Sequence, residues 1–307
     1  MEEYKERRLF RILRKAIWQL GFMKILILGA KGNLGQQLVK VFQSDNQVIA
    51  WDKADVDITD RELVLKKVAD IKPDIIINAA AYNLVDKCEA SDEEYDLAKK
   101  INIDGPKFLA EAALKNKAVL VHYSTDYVFD GKRKSGYKEN DEPAPINRYG
   151  KTKFYGEKRI LELSGKGLKW YIIRTSKLFG PRAQSPAAKP NFFDQMLEIS
   201  QAEREIKAVD DEVSCYTYTV DLAKATKNLI DSNKGCGIYH LTNSGAASWC
   251  GAARELFKIK NLMIKVKPIK SDQLVRPAKR PKQSVLLNTK LEPLRDYREA
   301  LKEYLRK

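Results

Sequence analysis

The sequence has little to staple it and no segment to embed it in a membrane. Only four cysteines occur in 307 residues, at positions 88, 215, 236 and 250, and no two have CxxC spacing. With just two histidines beside them, a zinc site or disulfide framework is disfavoured, and a reducing, cytoplasmic setting fits. No apolar run approaches the roughly 18 residues needed to span a bilayer. No internal repeat, low-complexity tract, cleavable signal or local metal-ligand set is visible. Acidic residues are the minority charge, 41 Asp and Glu against 56 Lys and Arg, for a net +15. Residues 254–307 carry 16 of those cations against 6 acids, so the excess is uneven. Aromatics are not interleaved with these cations as base stacking requires. The expectation is therefore no nucleic acid, but a lysine-rich surface or a cradle for a phosphate-bearing substrate.

What is present is a pattern of strands alternating with helices, expected of a doubly wound α/β fold. Residues 24–28 form a short apolar run, read as a buried parallel strand, leading straight into Gly29-Ala-Lys-Gly32-Asn33-Leu34-Gly35. A helical stripe of Leu34, Leu38, Val41 and Phe42 follows. Strand, glycines and helix together bring backbone N–H groups up to a pyrophosphate. A second strand, Gln47 to Trp51, ends at Asp52, where a carboxylate can accept from an adenosine ribose; the adjacent Lys53 suits a 2′-phosphate equally, so NADH and NADPH both stay open. Asp57-Ile58 is a candidate adenine contact. A third strand, Asp74 to Asn78, runs into Ala79-Ala80-Ala81-Tyr82, whose small residues let a ribose and nicotinamide approach the backbone. A fourth, Ala118 to Tyr123, delivers Ser124 and Thr125. Each candidate lies at the C-terminal end of a parallel strand, where open α/β sheets bind ligands.

The chemistry rests on Tyr149 and Lys153. Residues at i and i+4 share a helix face, so the ammonium is expected to lower the phenol's pKa toward working pH. With a hydroxyl from the fourth strand, that phenol can share a substrate carbonyl while a nicotinamide delivers hydride. Residues 1–22 precede this pattern and carry an apolar stripe at helical spacing. We read them as an N-terminal helical extension, or as sequence upstream of a start at Met23.

The motifs resemble those of the dTDP-4-dehydrorhamnose reductases, extended short-chain dehydrogenase/reductases that reduce a nucleotide-linked 4-keto sugar. The resemblance rests on His122-Tyr-Ser-Thr-Asp-Tyr-Val-Phe-Asp-Gly131, Asn147-Arg-Tyr-Gly-Lys-Thr-Lys153 with Gly156-Glu157, Arg174-Thr-Ser176, Ser248-Trp249 and Arg280-Pro281. It implies a Rossmann-type NAD(P)-binding domain over 23–175. The substrate-binding part, over 176–307, would be a smaller C-terminal lobe interleaved with the last elements of the sheet. Tyr149 would donate the proton and Lys153 would hold the nicotinamide ribose. Thr125 and Asp126 would hold the sugar's carbonyl end. Gly29, Gly32, Asn33, Leu34, Gly35, Asp52, Asp57, Ile58, Ala80, Ala81 and Tyr82 would line the cofactor. Lys177 and Arg280 would face the nucleotide sugar. A homodimer and a magnesium ion at its contact belong to the resemblance alone.

Departures fall on the sugar side. Lys177 stands where the family usually has a tryptophan, and Asp211-Glu-Val-Ser-Cys-Tyr-Thr217 replaces D-Q-x-G-x-P-T, with Ser214 for glycine and Tyr216 for proline. A lysine lacks the flat apolar face of an indole but reaches hydroxyls and phosphates. Two alternatives stay open at this point: an epimerase or dehydratase of the same superfamily, and a non-catalytic NAD(P)-binding regulatory subunit. Tyr127, where dehydratases commonly place a glutamate after the Thr-Asp pair, argues against dehydration.

Overall fold

The computed structural model describes residues 22–183, 190–232 and 234–306. Apart from Phe22, the N-terminal extension lies outside these residues. The chain opens with β1 (Lys24–Leu28), α1 (Gly35–Phe42), β2 (Gln47–Trp51), α2 (Arg61–Ile71) and β3 (Ile75–Asn78). Two short helices follow, α3 (Val85–Ala90) and α4 (Asp92–Lys99). A π-helical segment, Lys100–Asp104, then joins α4 to α5 (Gly105–Asn116). Next come β4 (Val119–Thr125), α6 (Arg148–Ser164) and β5 (Lys169–Thr175). All four residues of β3 and all seven of β4 are buried, which is why these strands read as continuous apolar runs rather than alternating ones.

Six parallel strands form one sheet in the order β2-β1-β3-β4-β5, closed at its far edge by Gly237–His240. The chain leaves β1 toward β2 on one side and returns to β3 on the other. The crevice above β1 and β3 is therefore the topological switch point, the usual ligand position in such sheets. Leu38 and Phe42 of α1 pack on one face with Leu222, Leu229 and Ile230 from the helix Thr219–Asp231. Val64, Val68, Leu109 and Ile160, from α2, α5 and α6, cover the other face.

A third apolar cluster lies apart from the sheet. It joins Phe179, Phe193, Ile206, Tyr216, Phe257, Val266, Tyr297 and Leu301. Its elements include the helices Phe192–Ile199, Trp249–Ile259 and Tyr297–Leu305, with the parallel pair Glu205–Val209 and Lys265–Ile269. Among the described residues no helix is long and apolar enough to cross a membrane.

Candidate active site

The glycine turn explains itself by contact. Gly29 has φ +71°, and a Cβ there would sit 2.7 Å from the Ala80 nitrogen. A Cβ on Gly35 would sit 2.0 Å from the Gly29 carbonyl oxygen. Only glycine lets β1, α1 and the Ala79–Ala81 segment approach this closely. No side chain caps the first turn of α1, although the Gln36 and Gln37 N–H groups donate to the Gly32 (3.1 Å) and Leu34 (3.0 Å) carbonyls. Beside this turn lies a cavity of about 330 Å³ lined by Ala30, Lys31, Gln36, Asp52 and Asp55 among others. Asp52 accepts from the backbone N–H of Lys31 (3.2 Å) and of Lys53 (2.8 Å). Asp57 turns inward on Thr59, whose N–H and hydroxyl both donate to it and hold its carboxyl below the ordinary range. Ile58 is buried against Gly105. The glycine turn at the end of β1, the helix N-terminus after it and the adjoining cavity suit a dinucleotide.

Tyr82 behaves differently from its alanine neighbours. Its hydroxyl donates to Glu94 (2.7 Å), and its ring lies in a small cluster with Cys88, Ala98 and Tyr149. Its main chain is gripped by Asn102, a residue that periodicity did not single out. Asn102 accepts from Tyr82 N–H (3.0 Å), and its amide nitrogen donates to the Tyr82 carbonyl and the Thr152 hydroxyl, each at 3.0 Å. The π-helical turn between α4 and α5 holds this side chain, as such turns often do at functional sites.

Thr125 and Tyr149 meet at the end of β4. Thr125 is the last residue of that strand, in register with Thr175 of β5. The strand runs two residues beyond the expected Tyr123, carrying Ser124 and Thr125 to its tip. Asn147 caps α6, and a Cβ on Gly150 would lie 2.2 Å from the Tyr127 carbonyl. The helix therefore presses onto the turn that follows Thr125, which makes the Thr125 hydroxyl a neighbour of the Tyr149 phenol. Lys153, one turn further along α6, is buried and donates to the Tyr123 carbonyl at 2.7 Å.

The expected lowering of the Tyr149 phenol is corrected here. Burial of its hydroxyl end pushes it above the ordinary phenol value, with the neighbouring Thr125 hydroxyl opposing. Burial also draws Lys153 down to about 8, with Glu157 opposing. A second residue not singled out, His122, explains part of the setting. The Ala80 N–H donates to the Asn78 side-chain oxygen, so the Asn78 amide nitrogen donates to His122 Nδ1 at 3.1 Å. The imidazole proton then sits on Nε2, 3.5 Å from Lys153 Nζ. Burial holds His122 well below its ordinary value, so it is a neutral neighbour. The arrangement can present a protonated phenol and a threonine hydroxyl to one carbonyl oxygen.

The RmlD substrate binding domain family matches residues 23–307. A dTDP-4-dehydrorhamnose reductase from Streptomyces griseus is 37% identical over 290 residues, covering 91% of each chain. The chain belongs to the dTDP-4-dehydrorhamnose reductase family. Among solved structures, the dTDP-4-dehydrorhamnose reductase of Clostridium acetobutylicum superposes with a TM-score of 0.85 at 42% identity, covering 92% of this chain and 99% of that one. The enzyme of that name from Bacillus anthracis, solved in complex with NADP, gives 0.85 at 34% identity over 92% and 98%.

Against this family background the sugar side is distinctive. Asp126 is buried, accepting from the Ser284 hydroxyl (2.6 Å) and the Thr125 hydroxyl (3.2 Å), and burial raises its carboxyl. Lys177 follows β5 with φ +37°, and its Nζ lies 3.7 Å from the Trp249 ring centroid and 4.9 Å from that of Tyr216. Burial pulls its ammonium down to about 7, with Asp126 and Glu212 opposing. Glu212 accepts from the Trp249 indole N–H (3.1 Å) and pairs with Arg276. Arg280, expected to face the nucleotide sugar, is paired within the chain. Its guanidinium grips Asp86 with two nitrogens, one at 2.6 Å, and donates to the Ala278 carbonyl at 2.7 Å. This clamp ties the segment carrying Arg276 and Arg280 to α3. Among the described residues no group of three or more His, Cys, Asp or Glu side chains converges on a metal position, and all four cysteines are unpaired.

Proposed function

We propose that this protein reduces the C4 keto group of a nucleotide-linked 6-deoxy-4-keto sugar, converting dTDP-4-dehydrorhamnose to dTDP-rhamnose with NADPH or NADH. The observation that carries the reading is the Tyr149 phenol facing the Thr125 hydroxyl at the strand end beside buried Lys153. The NADP bound by the Bacillus anthracis relative supports NADPH as a cofactor. When bound, the reduced nicotinamide supplies the hydride.

Every other part of the reaction falls to the chain's own side chains. The glycine turn, the N-terminus of α1 and Ala80-Ala81 hold the dinucleotide, with Asp52 and Asp57-Ile58 at its adenosine end. Tyr149, kept protonated by burial, donates its proton to the carbonyl oxygen as charge develops there. Thr125 hydrogen-bonds the same oxygen and fixes its position. Lys153, held by the Tyr123 carbonyl, stands one helical turn from the tyrosinate left behind and favours it electrostatically. Residues 23–175 serve the cofactor and residues 176–307 the nucleotide sugar, in a cytoplasmic setting. The test is NAD(P)H oxidation with enzymatically prepared dTDP-4-dehydrorhamnose, with product identified by mass and NMR. Stoichiometric oxidation with formation of dTDP-rhamnose is expected. Bound cofactor with no oxidation of any 4-keto sugar nucleotide would overturn it.

A further inference from the structure

Lys177 is the residue in this groove that the reaction above leaves without a task. Its Nζ is fully enclosed yet has no hydrogen-bond acceptor within the described structure. A buried ammonium carries three donors, and leaving them unmet costs more than most single contacts return. The side chain is nonetheless held in place. Its backbone adopts a left-handed conformation that a lysine rarely takes, its carbonyl accepts from Thr217 N–H (3.2 Å), and its Nζ rests on the faces of Trp249 and Tyr216. Trp249 is itself fixed by Glu212 through its indole N–H.

Position and charge then narrow the ligand. Lys177 leaves β5 two residues after Thr175, which lies beside Thr125 across the sheet, and Asp126 is the leading carboxylate acting on the ammonium. Lys177 therefore follows the strand end beside Thr125, with its Nζ enclosed over the Trp249 ring. Asp126 and Glu212 are already balanced by Lys177 and Arg276, so a further anion would leave the pocket negative. A neutral oxygen fits.

We propose that Lys177 determines sugar specificity by donating to the ring hydroxyl vicinal to the carbonyl, the C3 hydroxyl of the 4-keto sugar. Trp249 serves as the floor that aims it. This assignment rests on the reductase reading. A charge-assisted hydrogen bond of this kind is worth roughly a 10- to 100-fold preference. The probes are dTDP-4-dehydrorhamnose and its 3-deoxy analogue, with kcat/KM measured for wild-type protein, Lys177→Met and Lys177→Arg. The wild type should favour the hydroxylated substrate about 30-fold, within that range. In Lys177→Met the preference should fall to near 1 while the 3-deoxy analogue is still reduced; Lys177→Arg should retain part of it. A preference that persists in Lys177→Met, or equal losses on both substrates, would overturn the proposal. NADPH binding and thermal melting separate those outcomes from misfolding. Absence of turnover by the wild type on both probes would instead overturn the reductase reading.

Discussion

The end of the groove proposed for the dinucleotide is made of main chain, whereas the end proposed for the sugar is made of charged side chains. At the first, Gly29, Gly35 and Ala80 bring backbone within contact distance, and there is no room for a Cβ at either glycine. At the second, Asp126, Lys177, Glu212 and Arg276 neutralise one another around Trp249 and Tyr216. A backbone site has one shape, dictated by which residues lack side chains, and a substitution there damages it. A side-chain site can be retuned by exchanging one group, provided its charges stay balanced.

Breaking the chemistry without touching either end is the largest expected effect. Tyr149→Phe removes the proton donor but keeps the ring against Tyr127 and the Tyr82 cluster. Turnover should fall about 10³-fold, within the range for loss of a general acid, while NADPH affinity from fluorescence titration stays within about twofold. Undiminished turnover would remove Tyr149 from the reaction. Gly35→Ala should give the converse. Its Cβ would meet the Gly29 carbonyl at 2.0 Å, so the turn must open. NADPH binding should weaken about 10- to 100-fold, some 1.4–2.8 kcal/mol, with a smaller change in kcat at saturating cofactor. Equal losses in Kd and kcat would mean that the two ends are not separable.

How much of this was legible follows the same division. The parallel strands announce themselves as unbroken apolar runs, and the glycine turn by its place between strand and helix. The Tyr149–Lys153 spacing puts both residues on one face of α6, as the i, i+4 rule requires. What sequence spacing does not carry is the identity of distant partners. Arg280 and Asp86 are 194 residues apart, so their pairing, and with it the loss of Arg280 as a free phosphate ligand, is a tertiary fact. The direction of the Tyr149 shift was missed for a related reason. A charge four residues away is visible in sequence, while the desolvation that outweighs it depends on everything packed around the hydroxyl. Asn102 shows no periodic signal because its work is polar and local, across a π-helical turn.

Asn102 tests whether the cofactor end depends on its supports. Replacing it by alanine leaves the Tyr82 N–H and carbonyl without their partner in a buried setting. Urea unfolding should show a loss of about 2 kcal/mol, the cost of buried polar groups left unpaired. Weaker NADPH binding should accompany it, since Ala80 and Ala81 adjoin the released segment. Unchanged stability would mean that water replaces the amide at no cost.

The last effect is also the sharpest probe of the sugar end, because it reads a single charge. Lys177 has a folded pKa of about 7 against 10.5 when free, its ammonium disfavoured by burial. A lysine lowered in this way binds fewer protons folded than unfolded between those two values, so its penalty on stability is complete below about pH 7 and lifts as pH rises toward 10.5. Lys177→Met has no such group. The unfolding free energy of the wild type relative to Lys177→Met should therefore climb with pH from 7 to 9, by at most about 1.4 kcal/mol per unit. Lys153, whose value of about 8 acts in the same direction, is present in both proteins and cancels in the difference. Asp126, whose carboxyl burial raises, is the leading carboxylate facing Lys177, and it too is present in both proteins. A flat difference would mean that the ammonium is solvated in solution, and the sugar pocket would then lack the charged floor that sets it apart from the backbone site at the other end.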